Sequence, residues 1–274
     1  IAAFEAGLAE RQQKFDETMA TRRSEAAARA RSRFGDYLVA QTELENFPAE
    51  GFDTILGDDD LIPAFVRQFE RFFHREDLAR DPVFAAWVTL ARSEAEDGDA
   101  FAAAVPQAVA SLADAGIALN GLVAGILEPP PASMRELAER YGQLFADVES
   151  QWQKEVAAAA EAGMPPPEQL ENPESEQLRH FLYGPQAPCV VPDEPIVSTE
   201  GYFTTKGCEE LWKLQGEIDR WLLGQPAAAA YTLRLVDREP LRTPWVFRRG
   251  NPKQPIRQVP RRFLSVIEGA HVST

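Results

Sequence analysis

The sequence predicts a mainly α protein. Its long antiparallel helical arm carries a small helical bundle at the tip, and a mixed α+β C-terminal part follows with a short antiparallel β element. Three observations carry this. Residues 1–45 lack proline and are rich in Ala, Glu, Arg and Gln, all good helix formers. A second long periodic stretch, 133–162, begins with the capping box Ser133-Met134-Arg135-Glu136. Beyond Gly224 the segments 231–236 and 245–248 gather β-branched and aromatic residues between turn signals.

The first arm helix, 1–45, would be roughly 65 Å long. Its larger apolar residues Phe4, Leu8, Phe15 and Met19 continue through Ala26, Ala30 and Tyr37 with an eleven-residue period. That period nearly matches a straight helix, so the stripe predicts a weakly supercoiled arm in need of a partner. The tip bundle, 46–128, opens with Asn46-Phe47-Pro48 and the glycines Gly51 and Gly57. Asp58, Asp59 and Asp60 then offer negative charge to the start of an amphipathic helix containing Phe65, Val66, Phe69 and Phe72. Asp81-Pro82 reads as an N-cap followed by a first-turn proline, and two Ala-rich helices follow at about 99–113 and 117–127.

Pro129-Pro130-Pro131 stiffens the entry to the returning helix, 129–163. There Met134, Leu137, Tyr141, Leu144, Val148 and Trp152 form one stripe. We expect this stripe to face that of residues 1–45. The region 164–274 is the mixed scaffold, with helices near 174–182 and 207–223 and an antiparallel pairing of strands 231–236 and 245–248. The link between those strands is too short for a parallel crossover. Trp212 and Trp221 read as core residues of the 207–223 helix rather than as a sugar platform.

With 274 residues and 45 % hydrophobic content the chain can bury a sizeable core. It contains no apolar run of the length that crosses a membrane as a helix. It begins at Ile1 and stops at Thr274 soon after an apolar run, which predicts a piece of a longer polypeptide. The formal charge of −15 argues against nucleic acid as a partner. Charge is unevenly placed, however: residues 238–262 hold eight basic side chains and one acidic, a net +7 that leaves −22 elsewhere.

The stretches PPASMRELAERYGQLF, LYGPQAPCVVPDEPIV, LWKLQGEIDRWL, LRLVDREPLRTPWVFRRGNP and VPRRFLSVIEG cover about half the chain. They resemble the region joining two planctomycete-specific domains of unknown function in large proteins that often carry a cytochrome-c-like domain. VFRRGNP followed by VPRRFL is the most specific part. Where that family shows a glycine between these two runs, this chain has Pro255, Ile256 and Arg257. The resemblance implies an exported bacterial protein, periplasmic or at the cell surface, with a helical insertion between conserved domains and no assigned reaction. Any haem belongs to another domain of the parent, since no Cys-x-x-Cys-His occurs in this chain.

Candidate chemistry is sparse. His74, His180 and His271 stand far apart without carboxylate or cysteine at ligand spacing, which predicts surface or helix-end histidines and no metal or cofactor. Cys189 and Cys208 flank a proline-rich loop able to bring them together. They form either a disulfide, which an exported setting permits, or two free buried thiols. Asp193-Glu194 and the pair Glu217 and Asp219 read as solvated carboxylates, and Gly250-Asn251-Pro252 as an ordinary turn. The arginines Arg248, Arg249, Arg261 and Arg262 form a candidate docking surface for flanking domains or another protein. The function expected is a non-catalytic structural or interaction segment; the alternative is part of an enzyme, perhaps polysaccharide-acting, whose active site is completed by flanking domains.

Overall fold

The computed structural model describes residues 2–47, 56–57, 59–93, 95, 97–224, 245–251 and 254–259. The chain is mainly helical, with a two-stranded antiparallel sheet in its C-terminal part. It divides into two compact units, Ile1–Ala228 and Ala229–Thr274.

In the first unit, α1 spans Ala2–Ser32 and α2 spans Phe34–Ala40. The expected single helix over 1–45 therefore breaks at Arg33, although Arg33 N–H still donates to Arg29 O and Tyr37 N–H to Arg33 O. The break turns Phe34, Tyr37 and Leu38 into the core together. Opposite them runs α7, Met134–Glu161. Its N-terminus uses the expected cap, with Ser133 Oγ accepting from Glu136 N–H at 3.0 Å, while the Glu136 carboxylate accepts from Ala132 N–H at 2.7 Å.

The contacts Arg31–Glu149, Phe34–Phe145, Gly35–Gly142 and Glu43–Arg135 fall in reverse order along the two helices, so α2 and α7 are antiparallel. The approach is closest at the two glycines. A Cβ on Gly142 would lie 2.6 Å from Gly35 Cα, so both positions need the missing side chain.

The earlier part of α1 has a different partner from the one its stripe suggests. It runs antiparallel to α10, Thr205–Leu223, with Phe4 and Gly7 against Trp221 and Arg22 against Glu210. Sequence spacing cannot distinguish two partners for one stripe when α1 is long enough to meet both.

Between these pairs lie α3 (Pro63–Phe73), α4 (Ala85–Ala91), α5 (Asp99–Asp114) and α6 (Gly121–Ile126). They share one core with α2 and α7: Phe69 packs on Phe34 and Tyr37, and Phe84 on Tyr141 and Phe145. Each fully buried ring contributes roughly 1.5–3 kcal/mol by removal from water. Buried hydroxyls in this core are bonded. Tyr141 donates to Val83 O at 2.7 Å, and Tyr37 accepts from Ile62 N–H at 3.1 Å.

The helix expected after Asp58 begins later, at Pro63. Asp60 accepts from Gly57 N–H and so closes a turn instead of capping the helix. Asp81 does accept from Val83 and Phe84 N–H, but a turn separates it from α4. Pro106 lies inside α5 without interrupting it. The unit is completed by α8 (Pro173–Tyr183), capped by Asn172, and by the short α9 (Ile196–Thr199).

In the second unit β1 (Trp245–Phe247) pairs antiparallel with β2 (Pro255–Gln258), in the register Trp245 with Gln258 and Val246 with Arg257. The partner expected for residues 245–248 was 231–236, which lies outside the described residues. The β1–β2 pairing was hidden because Pro255 and the arginines break the alternation that marks a strand. The chain reverses through Arg249 (φ 52°) and Gly250 (φ 76°), and Arg248 N–H donates to Gln254 O at 2.9 Å.

Candidate interaction surface

Cys189 and Cys208 are both free thiols, so no disulfide joins them. Cys189 sits in the core, where burial pushes its thiol well above the usual range. Cys208 lies on α10, half-buried, and donates to Glu200 O at 3.0 Å. Burial first, then Glu200 and Glu209, raise it to about 11. A thiol held in this state is a poor nucleophile.

The other sequence candidates do not converge. His74 follows α3 and His180 lies in the last turn of α8, while His271 is outside the described residues. No group of His, Cys, Asp or Glu able to hold a metal occurs among the described residues. Asp193 pairs with Arg23, whose guanidinium also donates to Glu194 O, and Asp219 accepts from Gln215. Asp193 and Asp219 are thus engaged at the surface, and Glu194 through its backbone oxygen.

The two tryptophans of α10 part company. Nine residues are two and a half helical turns, so their side chains leave opposite sides of the helix. Trp221 lies half-buried in the seam with α1: it stacks on Phe4, sits beneath the Arg11 guanidinium at 4.0 Å and donates to Phe4 O. Trp212 is 41 % exposed and donates to Glu200 Oε2, which corrects its reading as core.

One cleft of about 300 Å³ opens on the helical unit, lined by Arg22, Glu25, Arg29, Tyr37, Phe65 and Lys206 among others. Sequence spacing had not singled it out, since its walls come from α1, α2, α3 and α10. Much of its charge is engaged: Arg22 and Glu25 pair, and Arg29 donates to Gly57 O and Asp60 O. Arg22 donates to Glu210 at 2.8 and 2.5 Å and to Glu25 at 2.6 Å, and these carboxylates raise the guanidinium pKa. Tyr37 and Phe65 in its walls are almost wholly buried.

No family model, curated protein or solved structure matches this chain. The surface itself must therefore supply any functional reading.

In the helical unit Arg22, Arg23, Arg31, Arg33, Arg67, Arg75, Arg135, Arg140 and Arg179 each pair with a carboxylate, while Arg71, Arg80, Arg92 and Arg220 are exposed and form no ion pair with any described residue. On the hairpin, Arg248, Arg249 and Arg257 are exposed and form no ion pair with any described residue. Beside them, Trp245 is 43 % and Ile256 59 % exposed. Arg261 and Arg262, the other half of the expected docking set, lie outside the described residues.

Proposed function

We propose that the chain is a non-catalytic structural and interaction segment that connects domains of a larger exported bacterial protein. The helical unit serves as the scaffold, and the basic hairpin is its point of attachment. The observation that supports this reading is the composition of the hairpin: residues 245–259 hold four basic side chains and no Asp or Glu, and Arg248, Arg249 and Arg257 are exposed there beside Trp245 and Ile256. Exposed charges add little to the stability of their own fold, whereas they orient and accelerate association with an oppositely charged surface. Any haem of the parent belongs to another domain.

The reading is tested by capture of the adjoining polypeptide, expressed separately from the parent reading frame. Native chain is expected to retain it in a salt-sensitive manner, and the double variant Arg248→Gln with Arg249→Gln to lose most of it. Capture that is absent, or indifferent to both salt and substitution, contradicts the reading.

A further inference from the structure

We draw no further inference here: the strongest candidate, the exposed face of α5 that Ala103, Gln107 and Ala110 present within a stretch, 100–127, whose sole charged side chain is Asp114, is a stripe of small residues, and nothing in the structure shows what covers it.

Discussion

At the residue scale, the crossing of α2 and α7 depends on two missing side chains. Gly142→Ala is expected to destabilise the helical unit by about 3 kcal/mol, because the new methyl meets backbone and cannot be accommodated by a rotamer change. Gly125→Ala is the control, since nothing lies within 4 Å of its Cβ position on the exposed side of α6; it should be neutral or stabilising by up to about 1 kcal/mol. Urea unfolding of the two variants measures the difference. The cysteines give a second prediction. Unfolded without reductant, the chain should titrate two thiols; folded, Cys189 should be unreactive and Cys208 slow, being only about 0.1 % thiolate at pH 8. Neither feature was legible in the sequence. Gly35 and Gly142 look like ordinary helix-weakening glycines until the partner backbone is in place, and cysteine spacing across a proline-rich loop permits a bridge without requiring one.

At the scale of elements, α1, α7 and α8 meet at a half-dry polar cluster. Glu149 Oε1 accepts from Tyr183 OH at 2.8 Å and from Gln153 at 3.0 Å, and lies 3.8 Å from Arg31 Nε; Arg31 stacks over the Tyr183 ring at 4.3 Å. Burial, then the bond to Glu149, raises Tyr183 to about 12, so it remains a donor at physiological pH. Glu149→Ala strands a largely buried guanidinium and should cost about 3 kcal/mol, measurable by chemical unfolding. On α8, Arg179 holds Glu176 below the usual carboxylate range through two bonds of 2.6 Å. A depressed folded pKa stabilises above the unfolded value of about 4.3 and loses that contribution as pH falls through the folded value. Stability should therefore fall more steeply below about pH 5 in the native chain than in Glu176→Gln. Local signals served well at this scale. Ser133, Asn172 and Thr204 cap α7, α8 and α10, and all three helices lie close to where periodicity puts them. The breaks at Arg33 and before Pro63 were missed because core packing, rather than local propensity, decides them.

At the scale of the molecule, the mainly α class, the antiparallel helix pairing and the short antiparallel β element were legible from two long proline-free stretches and one change of periodicity. Which helix meets which was not. The stripe of α1 is shared between α10 and, at its end, α7, and only the assembled core resolves that division. The charge imbalance was equally plain in composition, but which arginines pair with a carboxylate required coordinates. The central proposal is that the helical unit is a scaffold and the hairpin its attachment surface. Hydrogen–deuterium exchange of the isolated chain and of the same residues within the longer parent polypeptide proposed above tests it most directly. The account expects α2, α3 and α7 to exchange equally slowly in both, and residues 245–258 to become at least several-fold better protected in the parent. Equal exchange of the hairpin in the two states would contradict it.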